Sequence, residues 1–141
     1  MKTLISWAKS LNQTTKLKFV NLFILNRKQG KFNEKRFQEH FSQIIRKRFD
    51  YYNEVFGRNA TLEFNLMRSK YGYCKFKENL IVLSRNIVSL PGELIDYIII
   101  HEFCHFKVQN HSKDFYDEVK KYCPDYKKKV KKLKELAALT R

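Results

Sequence analysis

Apolar side chains recur every three or four residues between Glu34 and Phe56 and predict one long amphipathic helix. The residues of this apolar stripe are Phe37, Phe41, Ile44, Ile45, Phe49, Tyr52 and Phe56. Asn33 is suited to cap the helix, and Gly57 to end it, because glycine readily adopts the left-handed backbone found after helices. Before this helix the pattern predicts a short helix over residues 3–12 and a strand over Lys16–Leu25.

The pattern changes to that of strands after Gly57. Thr61–Met67 alternates apolar and polar residues, which predicts a half-buried strand. Tyr73–Phe76 and Leu80–Ser84 predict a hairpin, and Asn79 is suited to the turn between them because asparagine tolerates a left-handed backbone.

The rest of the chain is predicted to be helical. Pro91 suits the first turn of a helix that runs to about Lys107. Its three successive isoleucines, Ile98–Ile100, favour a strand by propensity, but the length of the segment predicts a buried helix. Two more helices are predicted over Lys113–Tyr122 and from Pro124 to about Leu139.

Composition restricts the class of protein. The chain of 141 residues is 43% hydrophobic with only 4 glycines and 2 prolines, which predicts one folded domain over residues 1–141. No apolar run is long enough to span a bilayer, and the N-terminus lacks the apolar core of a signal peptide. Three cysteines without paired spacing imply no disulfide framework. We therefore expect a cytoplasmic protein that does not associate with membranes.

The charge is strongly basic but unevenly distributed. The formal net charge is +15, of which residues 1–60 carry +9, residues 61–112 carry +1 and residues 113–141 carry +5. Lys120–Lys134 alone holds eight lysines and one acidic residue. Such a surface suggests association with nucleic acid through the basic N-terminal and C-terminal helices, although a solvated helical face has the same composition.

The candidate chemistry lies in the nearly neutral middle of the chain. His101, Glu102 and His105 form a His-Glu-x-x-His pattern on the predicted buried helix. Residues four apart lie on one helical face, so both imidazoles can reach one metal ion, while Glu102 is turned aside by about 100° and is free to act as a base. Burying these groups without a partner would be costly, and a metal ion compensates for that cost.

A third ligand is needed to complete the site, and two residues are candidates. His111 follows His105 at the spacing of the third histidine in metzincins, but Val108 replaces their glycine and no methionine follows. Glu118 is the alternative, and proximity and ligand preference favour His111. Three histidines predict one Zn²⁺ per chain that activates a water molecule, with Glu102 as the general base. Candidates for a second donor to the reacting oxygen are Tyr71, Tyr73, Arg85 and Tyr116.

The segment from Leu66 to Leu136 resembles the YgjP-like metallopeptidases, which are relatives of the SprT-like zincins. The residues that carry the resemblance are Tyr71-Gly72-Tyr73-Cys74, Asn79–Leu83, Leu90-Pro91, Asp96–Ile100 with His101-Glu102-Phe103-Cys104-His105, Asn110-His111-Ser112 with the following Lys113–Tyr116, and Pro124-Asp125-Tyr126. The resemblance implies a minimal zincin-like α+β fold, in which a small antiparallel or mixed sheet packs against a buried zinc-binding helix with flanking helices. It also implies that His101, His105 and His111 bind zinc and that Glu102 is the catalytic base.

Details of substrate binding depend on the same resemblance. In such folds the strand before the zinc helix can offer its edge to an extended peptide, and Leu80–Ser84 is the candidate strand. Tyr71 replaces a family tryptophan and Tyr73 a family serine, so substrate contacts at these positions are expected to differ.

Three functions are open at this point. The first is a zinc-dependent peptidase with a peptide or protein substrate. The second is a metal-dependent hydrolase of a nucleotide or another phosphorylated small molecule, which the basic charge permits. The third is a basic nucleic-acid-associated module with a structural metal, and the presence of Glu102 argues against it because a structural site needs no general base.

Overall fold

The computed structural model of the protein describes residues 34–67 and 69–139. The helix predicted over 3–12, the strand Lys16–Leu25 and the cap Asn33 lie outside these residues, as does the side chain of Phe37. Helix α1, Glu34–Phe56, agrees with the prediction, and Gly57 ends it with a φ of +64°.

The sheet has three strands within the described residues. They are β1 (Thr61–Asn65), β2 (Gly72–Lys75) and β3 (Leu80–Ser84), in the spatial order β1-β3-β2. β3 pairs in parallel with β1 and antiparallel with β2. A short 3₁₀ turn, Phe76–Glu78, joins β2 to β3, and Asn79 has the predicted left-handed conformation. The sheet is therefore mixed.

The prediction that Leu80–Ser84 offers a free edge is wrong. This strand is central, because β1 and β2 occupy its two sides and all five of its residues are buried. A continuous buried apolar run is typical of a strand covered on both faces. β2 instead has one unpaired edge in the described sheet, and it also borders a cavity that contains the side chains of His101, Glu102 and His105 in its lining.

β1 ends two residues earlier than predicted because the chain turns toward β3 there. The hydroxyl of Ser84 donates to the carbonyl oxygen of Met67 at 2.9 Å, and the same oxygen atom of Ser84 accepts from the Met67 N–H at 3.2 Å. These side-chain hydrogen bonds replace the backbone hydrogen bonds that Met67 would form with β3 in a longer strand.

Helix α2, Gly92–Cys104, is the centre of the hydrophobic core and is buried around most of its circumference. It ends three residues before the predicted Lys107. The N–H groups of Phe106 and Lys107 donate hydrogen bonds to carbonyl oxygens only three residues earlier, at 3.1 and 3.0 Å. These bonds form a tighter turn than the four-residue pattern of an α-helix, so the helix ends here.

Two flanking helices complete the described structure. They are α3 (Lys113–Tyr122), as predicted, and α4 (Tyr126–Leu139), which begins two residues after the predicted Pro124. The predicted α+β architecture, a small mixed sheet against a buried helix with flanking helices, is confirmed. None of the described helices has both the length and the apolar character needed to cross a bilayer.

Candidate metal centre

Three histidines converge at the C-terminal end of α2. His101 lies in the last turn of α2, His105 directly follows the helix as its C-terminal capping residue, and His111 comes from the connection to α3. The three Nε2 atoms form a triangle in which every side measures 3.2 Å. Two nitrogen ligands of a tetrahedral zinc ion, with bonds of about 2.0–2.1 Å, are separated by about 3.3–3.4 Å. The donor atoms therefore fit one ion of this size.

Contacts at the opposite ring nitrogens orient two of these imidazoles. Nδ1 of His105 lies 3.0 Å from the carbonyl oxygen of Val108. Since a carbonyl only accepts hydrogen bonds, Nδ1 carries the proton and Nε2 keeps its lone pair. Nδ1 of His101 lies 3.4 Å from the hydroxyl of Tyr97. Metal-binding histidines are commonly held in this way by a partner on the nitrogen that does not bind the metal.

The environment favours neutral imidazoles, the form that binds a metal. Burial lowers the pKa of His101 to about 3, and the neighbouring His105 and His111 contribute in the same direction. Burial also lowers the pKa of His105. Both rings are therefore uncharged at neutral pH.

The carboxylate of Glu102 is buried beside the triangle. Its Oε1 lies 3.9 Å from Nε2 of His101, and its buried Oε2 has no hydrogen-bond partner among the described residues. Burial raises the pKa of Glu102 to about 8, against the opposing effect of the Lys70 ammonium group. A buried carboxylate oxygen without a partner is costly unless a further group binds it, so this oxygen is suited to receive a proton from a bound molecule.

An aromatic side chain to which sequence reasoning assigned no role at the site lies against all three imidazoles. Phe115 of α3 is fully buried, with ring centroids 4.8 Å from His101, 4.4 Å from His105 and 5.1 Å from His111. It stacks on His105 at an interplanar angle of 19°. The available signal was its position four residues after His111, at the buried face of an amphipathic helix. Phe115 therefore provides an apolar surface against which the three imidazoles pack.

Glu118, the alternative third ligand, is not part of this cluster. The described side chains that converge as possible metal ligands are His101, His105 and His111. Glu118 is buried and instead accepts hydrogen bonds from Lys107 at 3.0 Å and Lys121 at 2.8 Å. The bond from Lys121 has the largest effect in lowering the pKa of Glu118. Its carboxylate is therefore already neutralised by two ammonium groups.

A cavity of about 600 Å³ opens over the histidines and Glu102. β2 forms part of its wall. At Gly72 this strand lies so close to β3 and to Glu102 that an added Cβ would lie 2.8 Å from the carbonyl oxygen of Val82 and 3.6 Å from Cγ of Glu102. Of the candidate donors to a reacting oxygen, Tyr71, Tyr73 and Tyr116 line the cavity. Arg85 does not belong to the lining.

Comparison with known proteins supports the fold. The model of the YgjP-like metallopeptidase domain matches residues 9–136. An uncharacterized protein of Methanocaldococcus jannaschii is 33% identical over 67 residues, which are 45% of this chain. This chain spans 61% of the length of that relative.

Two solved structures are similar as well. The metallopeptidase zymogen jannalysin of Methanocaldococcus jannaschii matches 65% of this chain and 96% of its own, with 26% identity and a TM-score of 0.55. The metallopeptidase zymogen abylysin of Pyrococcus abyssi matches 55% of this chain and 77% of its own, with 26% identity and a TM-score of 0.49.

Proposed function

This chain belongs to the YgjP-like metallopeptidase family, and we propose that it is a zinc-dependent peptidase whose metal is held by His101, His105 and His111. Membership of the family implies a catalytic metal. The observation that supports these three residues as the ligands is the triangle of their Nε2 atoms, which measures 3.2 Å on each side. An all-imidazole donor set suits zinc and other late transition metals and disfavours Mg²⁺ and Ca²⁺, which prefer oxygen.

Glu102 is the general base of this proposal. When bound, zinc lowers the pKa of a coordinated water to about 7 and polarises the substrate carbonyl. The unpartnered Oε2 of Glu102 accepts a proton and delivers it to the amide nitrogen of the leaving group. Tyr71, Tyr73 and Tyr116 line the cavity and are the candidates to donate a hydrogen bond to the substrate oxygen.

The substrate of this proposal is a peptide in an extended conformation. β2 borders the cavity, and one of its edges is unpaired in the described sheet. The backbone groups on such an edge can bind an extended chain by strand addition. Gly72 supports this arrangement, because it lets β2 approach both β3 and Glu102 closely. The substrate backbone would then run along β2 and across the histidines.

A basic surface supports a secondary association with nucleic acid. Lys127, Lys128, Lys131 and Lys134 of α4 are exposed and form no ion pair within the described part of the chain. They do not line the cavity, so this association would affect the location of the enzyme rather than its chemistry. We expect DNA binding that weakens steeply with salt and is unchanged in the Glu102→Gln variant.

Metal analysis combined with activity measurements tests the principal function. We expect one zinc ion per chain in the wild type, and in Glu102→Gln a retained zinc ion with peptide cleavage lowered by about 10²–10⁴-fold. His111→Ala should lose zinc, whereas the matched change of the alternative ligand, Glu118→Gln, should keep it.

Two outcomes would contradict the proposal. One is a protein without affinity for zinc, and the other is a Glu102→Gln variant with wild-type activity. Hydrolysis of nucleotides without hydrolysis of peptides, in a panel containing both, would favour the phosphorylated substrate instead.

A further inference from the structure

Residues near the middle of α2 also line the cavity over the metal centre. Ile98 lines it and lies three residues, about one helical turn, before His101. Two side chains of α4, Val130 and Leu133, line the cavity as well. Leu133 and Ile98 are buried and Val130 is half-buried. We call the space beside these three aliphatic side chains the arm of the cavity; Tyr97 and Tyr116, which carry hydroxyl groups, also line the cavity.

The position of α4 beside this arm is determined by an ion-pair cluster at the start of α2. Glu93, in the first turn of α2, accepts hydrogen bonds from Lys129 at 2.9 Å and from Lys132 at 2.6 Å. Val130 and Leu133 follow these lysines directly in the sequence. The ion pairs hold this part of α4 against the N-terminal half of α2, and so define one wall of the arm.

The lining of the cavity contains few charged groups. Among the described residues of its lining, the carboxylate is Glu102 and the ammonium group is Lys70. Lys70 lies over the ring of Tyr73, 5.1 Å from its centroid, on the side of β2. The walls of the arm, Ile98, Val130 and Leu133, offer no partner to a charged side chain. Burying a charge there would be costly, whereas an apolar side chain would gain from burial.

We infer that this arm is a subsite for an apolar side chain of the substrate and that Val130 limits the size of that side chain. The inference rests on the proposed peptidase function. It specifies the substrate class: peptides with a leucine-, methionine- or phenylalanine-sized residue close to the cleaved bond. Val130 is suited to this role because it lines the cavity and is only half-buried, whereas Ile98 and Leu133 are buried.

Cleavage of a mixed peptide library, followed by sequencing of the products, tests the subsite. The wild-type enzyme should select apolar residues at one position next to the cut. Val130→Phe should fill the arm and shift the ratio of kcat/KM values from phenylalanine toward alanine at that position by about tenfold. Val130→Ala should shift the ratio in the opposite direction. Val88→Phe and Val88→Ala are matched controls, since Val88 is half-buried outside the cavity lining, and they should leave the ratio unchanged.

A binding measurement separates failure of the subsite from failure of the proposed function. The zinc-loaded Glu102→Gln protein should bind an apolar peptide about tenfold more tightly than one in which that residue is replaced by aspartate or lysine. Cleavage without an apolar preference, or with a preference that the Val130 variants leave unchanged, would overturn the subsite alone. Absence of both cleavage and binding for every peptide would overturn the subsite together with the peptidase function.

Discussion

Replacing Phe115 by leucine should weaken metal binding while leaving the protein folded. The side chain is fully buried, and its ring lies within 5.1 Å of all three imidazole centroids. Leucine preserves most of the apolar volume but has no flat face to stack on His105. The change therefore separates two contributions of the residue, the burial of apolar surface and the orientation of the ligands.

The expected magnitudes of the two contributions differ. A hydrophobic replacement of similar volume in a core usually lowers the free energy of unfolding by less than about 1.5 kcal/mol. Each aromatic pair contributes about 0.5–1.5 kcal/mol beyond its buried area, and Phe115 makes three such contacts with the imidazoles and another with Tyr116. Loss of a group that orients metal ligands typically lowers metal affinity by about 10–100-fold. We expect the zinc affinity of Phe115→Leu to fall within this range.

The control is Phe103→Leu. Phe103 is also fully buried, but its ring contacts are with Phe49, Phe56 and Phe106 rather than with any imidazole. Both variants should lose similar amounts of stability in urea denaturation. Only Phe115→Leu should lose zinc more readily to a competing chelator and change the visible absorption of the cobalt-substituted protein, which reports ligand geometry.

Two results would refute the role assigned to Phe115. One is an unchanged zinc affinity and cobalt spectrum in Phe115→Leu. The other is an equal loss of affinity in Phe103→Leu, which would mean that metal binding follows global stability. Phe115→Ala is less informative, because a cavity of that size costs about 3–5 kcal/mol and would alter both properties together.

Three further predictions concern acid stability, β2 and the support of His101. Hydrogen bonds from Lys132 and Lys129 lower the pKa of Glu93 below its usual 4.5, so the stabilisation from this carboxylate is complete above that pH and is lost as the pH falls through the lowered value. Glu93→Gln should therefore be less stable than the wild type at pH 7 but not at pH 2.5 in urea denaturation; a difference of equal size at both would contradict this. Gly72→Ala should lower the free energy of unfolding by about 1–3 kcal/mol, because its Cβ would lie 2.8 Å from the Val82 carbonyl oxygen, and an unchanged urea midpoint would argue against that contact. Tyr97→Phe should bind zinc more weakly in chelator competition, since it removes the hydroxyl 3.4 Å from Nδ1 of His101; wild-type affinity would show that this hydroxyl has no orienting role.

Local patterns were sufficient to predict the helices, and much of the candidate site follows from them. The apolar stripe and Gly57 predict α1 over its observed length, because both signals are local to the helix. The four-residue spacing of His101 and His105 guarantees that a helix brings them together. His111 is different, since its approach depends on the path of the chain after α2, which its spacing suggests but does not determine.

Contacts between distant segments account for what sequence reasoning missed. The free edge of Leu80–Ser84 was an implication of the family resemblance. The hairpin with β2 is visible in the sequence, whereas the parallel pairing with β1 that closes the other edge depends on tertiary structure. Its unbroken apolar run was the signal for a central strand. Phe115 contacts histidines of two other segments, and nothing in its own helix identifies those neighbours. For Glu118 only one of its two ammonium partners, Lys121, lies at a helical spacing that the sequence reveals.

The ion pairs indicate that many of the lysines of this protein have a structural role away from the candidate metal centre. Lys107 and Lys121 neutralise buried Glu118, and Lys129 and Lys132 hold α4 to α2 through Glu93. Four lysines thus stabilise the helices around the metal centre, and none of them belongs to the cavity lining. The exposed lysines Lys127, Lys128, Lys131 and Lys134 are likewise outside the cavity lining, and among the described lysines Lys70 belongs to it. Ionic strength should therefore act on binding to an anionic surface far more than on the turnover of a short uncharged peptide, because the groups proposed to carry out the reaction are the imidazoles and one buried carboxylate.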